Sequence, residues 1–187
     1  MGILAEWRAA HALRRRARAF VRALLDEPSD DDVRWLAAQG TGGDVDHARW
    51  ELRYARRAMG LLTAQRDALD DRTGSAVARQ IADVFDRDPA IAAAKRDVAQ
   101  RQFNARLRSY GEALAERAVD VPTRARLGRA LLTFAGHVGQ PPADAVARGG
   151  DVVAGYLAQA NEALRAQFGV ASLPENVPPS AVQGGAR

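Results

Sequence analysis

The sequence predicts an all-α protein: an antiparallel helical bundle with three long helices and about three shorter ones. Forty of the 187 residues are alanine, and alanine, leucine, arginine and glutamate are strong helix formers. No segment alternates apolar and polar residues as a half-buried strand does. Proline and glycine instead separate segments in which apolar residues recur at helical spacing, and long helices of similar length pack side by side.

The first helix is predicted from about Leu4 to Leu25, within a basic amphipathic N-terminal segment, residues 1–28. Its apolar residues form one stripe, and its arginines lie on the other side. Residues 1–25 contain six arginines and one glutamate, whereas residues 26–47 contain one arginine and seven acidic residues. The two neighbouring stretches therefore have opposite charge.

The bundle is predicted over residues 29–169 and begins with a short helix. Ser29 and Asp32 have the spacing of a capping box, and Gly40 has the position of a helix-ending glycine. The spacing predicts a helix between these two signals.

The third helix has the clearest pattern. Asp44 is predicted to cap it, and it extends for about 27 residues, roughly 40 Å. Its apolar residues recur in steps of three and four through Val45, Ala48, Leu52, Ala55, Met59 and Leu62. Alanine at every second position of this heptad seam lets a neighbouring helix approach closely. Trp50, Tyr54 and Leu61 form a second stripe, so we expect more than one partner helix.

Two more helices are predicted in the middle of the chain. The segment from Asp70 to Gly74 breaks the third helix, and a shorter helix follows it. Asp88 as N-cap, with Pro89 at the first helical position, predicts a long helix of about 30 residues that reaches Val119.

The last two helices are bounded by proline and glycine. One follows Pro122 and ends near Gly139, and the other begins at Pro142, extends for about 27 residues and ends at Gly169. Residues 170–187 contain three prolines and two adjacent glycines, and they are predicted to form a flexible tail.

Composition excludes several function classes. The absence of cysteine excludes disulfides, thiolate nucleophiles and cysteine-held metal clusters. Four arginines interrupt the region where a secretory signal has its apolar core, so we expect a cytoplasmic protein. The basic residues are 26 arginines and one lysine, a ratio typical of a GC-rich bacterial genome and weak support for a nucleic-acid ligand.

The sequence contains three histidines, which are its first candidates for metal ligands. His11 falls on the arginine side of the first helix, and His137 lies in a final helical turn, where a cationic imidazole is favoured. His47 and Glu51, four residues apart, share a helix face but make only half a metal site. A metal- or small-molecule-dependent enzyme that uses these two residues and the Asp67–Asp71 cluster is the rival hypothesis.

Motifs for other enzymes are missing from the sequence. It has no Glu-x-x-His pair for a di-iron bundle, no Gly-Lys-Ser/Thr phosphate loop and no Gly-x-Ser-x-Gly elbow. We therefore predict no catalytic residues, no cofactor and no bound metal.

The predicted function is association: a structural subunit, adaptor or assembly factor that presents alanine-rich helix faces and an arginine-rich first helix. Its expected partner is another protein or a second copy of the chain. An anionic membrane surface is an alternative, and nucleic acid is a less favoured one. The residues predicted at the partner surface are Trp7, Arg14, Arg15, Arg18, Phe20, Trp35, Trp50 and Tyr54.

Overall fold

The computed structural model describes residues 2–67, 70–116 and 120–169. Within these ranges the chain forms helices and no strand, so the predicted all-α bundle is confirmed. The helices are α1 (Gly2–Ala23), α2 (Asp30–Gln39), α3 (Val45–Asp67), α4 (Asp71–Arg87), α5 (Arg96–Ala115), α6 (Thr123–Phe134) and α7 (Ala143–Phe168), with a 3₁₀ turn at Ala93–Lys95. None of the described helices has the length and apolar character that crossing a membrane requires.

Helices joined by short connections run antiparallel. Tyr54 of α3 contacts Phe85 near the end of α4, and Gln65 lies beside Gly74 near its start. Likewise α6 returns along α5, and α7 returns along α6. As a result α3 and α5 run in the same direction, with Tyr54 beside Phe103.

The central helix of the bundle is α3, which packs against α2, α4, α5, α6 and α7. This confirms that its two apolar stripes serve more than one partner helix. Four of its alanines are fully buried: Ala48, Ala55, Ala58 and Ala64. These alanines therefore pack inside the molecule, where their small side chains let neighbouring helices approach. They are not available to an external partner.

The helices α6 and α7 approach each other closely at Gly128. A Cβ atom added at Gly128 would lie 2.0 Å from the carbonyl oxygen of Val146 and 2.7 Å from the amide nitrogen of Gly150. Both neighbours are backbone atoms, which side-chain rotation cannot move aside. Glycine at position 128 is therefore required by this crossing.

Side-chain caps mark the start of α2, as the sequence predicts, and the start of α4, which begins at Asp71 although the sequence predicts a break between helices over residues 70–74. The Ser29 hydroxyl oxygen accepts a hydrogen bond from the Asp32 amide at 3.1 Å, and the hydroxyl donates to the Asp32 carboxylate at 2.7 Å. At the start of α4 the Asp70 carboxylate accepts from the Thr73 amide at 2.7 Å. These bonds satisfy amides that a helix N-terminus leaves unpaired.

The predicted start of the long middle helix is wrong. The chain turns at Pro89 and Ala90, and α5 begins at Arg96 and has 20 residues. The Asp88 carboxylate accepts hydrogen bonds from the Ala90 amide at 3.0 Å and from Arg57 Nη2 at 3.4 Å. It therefore stabilises a turn and forms an ion pair, and it does not cap a helix. The helix also ends earlier than predicted, at Ala115 and not at Val119, because Glu116 already has an extended backbone. The predicted tail at 170–187 lies outside the described residues.

Candidate functional site

The acidic stretch after α1 is paired with arginines of α3. Arg53 donates to both carboxylate oxygens of Glu27, at 2.8 and 2.9 Å from Nη2. Arg56 lies 3.3 Å from the Asp26 carboxylate and also donates to the Asp26 carbonyl oxygen at 3.0 Å. Arg49 lies 3.6 Å from the Asp30 carboxylate. These acids therefore have partners inside the bundle.

The arginines of α1 are in the opposite situation. Within the described chain, none of the six lies within 4.0 Å of a carboxylate oxygen. All six are exposed. The opposite side of α1 packs into the core through Ala17, Phe20, Val21 and Leu24, which leaves the guanidinium groups facing solvent.

We call the exposed side of α1 the α1 cationic face. It consists of Leu4, Trp7, Arg8, His11, Arg14, Arg15 and Arg18. Leu4 is 70% exposed and Trp7 is 60% exposed, and the Trp7 ring stacks on His11 with centroids 5.7 Å apart. Residues spaced by three and four share one side of a helix, so apolar and cationic groups lie together at the beginning of α1.

The structure places half of the predicted partner residues on this face. Trp7, Arg14, Arg15 and Arg18 are exposed there. Phe20 is fully buried, because it lies on the apolar stripe that packs into the core. It therefore offers no accessible surface to a partner.

The remaining three predicted residues lie elsewhere and take part in internal packing. Tyr54 is 4% exposed. Trp50 is half-buried beside Tyr54, with the Arg53 guanidinium 4.8 Å from its ring centroid. Trp35 is half-buried beneath Arg148, whose guanidinium lies 5.0 Å from its ring centroid.

A buried ion pair that sequence reasoning missed joins α3 to α5. The Glu51 side chain is 2% exposed, and the Arg106 guanidinium donates to both of its carboxylate oxygens, at 2.9 Å from Nε. The guanidinium also lies 4.6 Å from the Phe134 ring centroid. Glu51 lies three residues after Ala48 and four before Ala55, so its spacing on the buried face was the available signal.

The groups proposed for a metal-dependent enzyme are not brought together. His47 Nε2 lies 3.3 Å from Glu51, but Arg106 already occupies both oxygens of that carboxylate. Asp67 lies about 24 Å farther along α3, given the rise of a helix. No group of three or more potential metal-ligating side chains occurs in the described part of the chain. Asp70 caps the start of α4, where its carboxylate accepts from the Thr73 amide and hydroxyl.

Comparisons of the chain with known protein families, curated proteins and solved structures find no match. The candidate site is therefore defined by the geometry of this chain alone. Its distinguishing feature is a helix face on which guanidinium groups have no carboxylate partner within the described residues.

Proposed function

We propose that this protein is a non-enzymatic interaction protein that binds an acidic surface of another protein through the α1 cationic face. One observation carries the proposal. Arg14, Arg15 and Arg18 are exposed without a carboxylate neighbour in the described chain, on the same face as the exposed Trp7. A structural subunit, an adaptor or an assembly factor in the cytoplasm would each use such a face.

Charge complementarity identifies the chemistry of the partner. A guanidinium group binds a carboxylate through two parallel hydrogen bonds, which gives both orientation and attraction. Tryptophan and arginine are also the residues that most often contribute strongly to protein interfaces. Asp26, Glu27 and Asp30 are already paired with arginines of α3, so a second copy of this chain is a weaker candidate than a different, acidic protein.

Two other occupants fit this face less well. A lipid surface is held by a large apolar area together with basic groups, whereas Leu4 and Trp7 are the only large exposed apolar groups among the side chains that the structure describes on the α1 cationic face. Single-stranded nucleic acid is held by aromatic rings on which successive bases stack. Among the described Phe, Trp and Tyr residues, only Trp7 is exposed.

Site-specific crosslinking in the native cell tests the proposal. A photoreactive amino acid is placed at Trp7 in one variant and, as a matched control, at Val138, which is 93% exposed in the connection between α6 and α7. We expect the Trp7 position to crosslink to an acidic protein that the Val138 position does not capture. The purified partner should then bind the chain in solution, and charge reversal by Arg14→Glu, Arg15→Glu and Arg18→Glu should remove that binding.

Lipid and nucleic-acid binding are measured in parallel with vesicles that contain phosphatidylglycerol and with single-stranded DNA. Binding to either one, with no protein captured specifically at Trp7, would contradict the proposal. A captured protein that binds the charge-reversed chain as tightly as the natural one would contradict it as well.

A further inference from the structure

A groove of about 460 Å³ lies between the second half of α1, the middle of α3 and the end of α4. Four apolar residues line it: Val21, Leu25, Val84 and Pro89. Small-molecule sites typically have volumes of about 300 to 1,000 Å³ and combine apolar walls with a few polar groups. The groove therefore has the size and lining of a small-ligand site.

The charged lining of the groove has an excess of cations. Five arginines line it, Arg18, Arg22, Arg53, Arg57 and Arg87. The carboxylates of the lining are Glu27, Asp83 and Asp88. Both Glu27 oxygens are already bound by Arg53, and Asp88 accepts from Arg57 and from the Ala90 amide.

Three of these guanidinium groups, on Arg18, Arg22 and Arg87, have no carboxylate within 4.0 Å in the described ranges. All three are exposed at the rim of the groove. An anion that enters from solvent meets these cations first, because they border the opening.

Arg57 is the most buried cation of the groove, with a side chain that is 7% exposed. Its Nη2 lies 3.4 Å from Asp88, while its Nε and Nη1 have no hydrogen-bond partner among the described residues. The guanidinium lies 4.9 Å from the Phe85 ring centroid, and its burial lowers the pKa of Arg57. Charges interact strongly where water is excluded, so a negative charge in the groove would stabilise this guanidinium.

We propose that the groove binds a small amphiphilic anion, with a phosphate or carboxylate head at Arg22 and Arg87 and an aliphatic body against Leu25 and Val84. The groove and the α1 cationic face would bind different ligands, although Arg18 belongs to the face and also lines the groove. The proposal does not depend on the protein partner proposed above.

Isothermal titration calorimetry with defined probes tests this site. Hexyl phosphate and hexanoate carry the two kinds of anionic head, while hexanol, hexylammonium and inorganic phosphate each lack one part of the proposed ligand. We expect saturable binding of at least one amphiphilic anion, with one ligand per chain, and much weaker binding of the other three probes. Whichever anion binds more tightly identifies the head group.

A pair of variants locates the site. Arg22→Gln combined with Arg87→Gln removes two exposed guanidinium groups at the rim and should weaken binding by roughly tenfold or more, because charge-assisted hydrogen bonds are lost. The matched control, Arg101→Gln combined with Arg108→Gln on the exposed side of α5, makes the same charge change outside the groove and should bind as the natural chain does. Circular dichroism during thermal unfolding verifies that both variants keep the fold.

Three outcomes would overturn the groove proposal. They are the absence of saturable binding of both amphiphilic anions, binding of hexanol as tight as that of the tighter amphiphilic anion, and equal loss of affinity in the two double variants. Crosslinking at Trp7 in the Arg22→Gln, Arg87→Gln variant should stay at its natural level, which separates a failure of the groove from a failure of the α1 cationic face.

Discussion

The helices α1 and α3 have nearly equal lengths, 22 and 23 residues, and both are rich in arginine, yet their arginines have different environments. Every arginine of α3 lies within 4.0 Å of a carboxylate: Arg49, Arg53, Arg56, Arg57 and Arg66. The arginines of α1 have no such neighbour among the described residues. Arginine thus forms ion pairs between elements of the bundle in α3, whereas in α1 it is exposed to solvent.

This difference arises from where the chain places its acids. Arg49, Arg53 and Arg56 are spaced by four and three residues, so they share a face of α3. The turn before α2 and the first residue of α2 meet that face with Asp26, Glu27 and Asp30. The arginines of residues 1–25 therefore form no ion pairs with the acids of residues 26–47 in the described chain.

The largest expected effect comes from breaking the buried ion pair of α3. Glu51→Ala leaves the Arg106 guanidinium without its carboxylate and should lower the free energy of unfolding by about 3 to 5 kcal/mol. Urea denaturation measures this change. Glu6→Ala on α1, whose side chain is exposed, serves as the control and should stay within about 0.5 kcal/mol of the natural chain.

The double variant Glu51→Met, Arg106→Met separates the charge from the packing. Replacing both partners of a buried pair by apolar residues costs less than removing one of them. A double variant as unstable as Glu51→Ala would show that the ion pair is not what makes this position sensitive.

The next largest loss of stability is expected at Gly128, where the packing of two helix backbones is tested in place of the pairing of side chains. Gly128→Ala forces α6 away from α7 and should lower the free energy of unfolding by about 1 to 3 kcal/mol. At Gly155, in the middle of α7, an added Cβ meets no atom within 4 Å. Gly155→Ala should therefore raise stability by about 0.5 to 1 kcal/mol. Thermal unfolding of the two variants gives both signs, and equal shifts in one direction would refute the close crossing.

An exposed ion pair of α3 should contribute less. Glu27→Gln removes the carboxylate that Arg53 binds, and exposed pairs contribute about 0.2 to 1 kcal/mol. The loss should shrink as salt is added, because salt screens exposed charges. Arg14→Gln on the α1 cationic face should cause no loss at either salt concentration, since it breaks no ion pair. A loss of stability that is larger in Arg14→Gln than in Glu27→Gln would contradict the conclusion that the arginines of α3 are paired and those of α1 are not.

The smallest expected effect depends on pH and lies at the end of α3. Arg66 donates from Nε and from Nη2 to Asp67, both at 2.7 Å, and these bonds lower the pKa of the Asp67 carboxyl. The ionised Asp67 carboxylate therefore contributes fully to stability when the pH is above its ordinary pKa of about 3.9. This contribution is lost as the pH falls through the lower pKa that Asp67 has in the folded protein.

Asp67→Asn should remove this part of the acid destabilisation, and Arg66→Gln should have the same effect by taking away the donors. Urea denaturation between neutral pH and acid measures it. An unchanged pH dependence in both variants would contradict this assignment.

Local signals in the sequence were sufficient for most helix boundaries. Ser29, Gly40 and Gly169 lie at helix ends where the sequence places them, because caps depend only on residues within one turn. The start of α4 differs, because α4 begins at Asp71 inside the predicted break. The start of α5 was missed because Asp88 pairs with Arg57, a residue 31 positions away. Spacing along the chain contains no information about such a distant partner.

The candidate site was predictable only in part for the same reason. Helical periodicity already placed Arg14 and Arg18 away from the apolar stripe, and it also placed Phe20 on that stripe, where the structure buries it. The partners of the α3 arginines could not be derived, because they depend on how α2 folds back. Glu51 finds Arg106 at a separation of 55 residues, which no local pattern shows.

The most direct test of the central claim is nitrogen-15 NMR of the arginine side chains in the isolated protein at low concentration. Bound guanidinium groups exchange their Nε protons with water slowly, and free ones exchange rapidly. We predict slow exchange for Arg53 and Arg106 and rapid exchange for Arg14, Arg15 and Arg18. Slow exchange at these three α1 positions would mean that the chain itself occupies the α1 cationic face, and it would contradict the account.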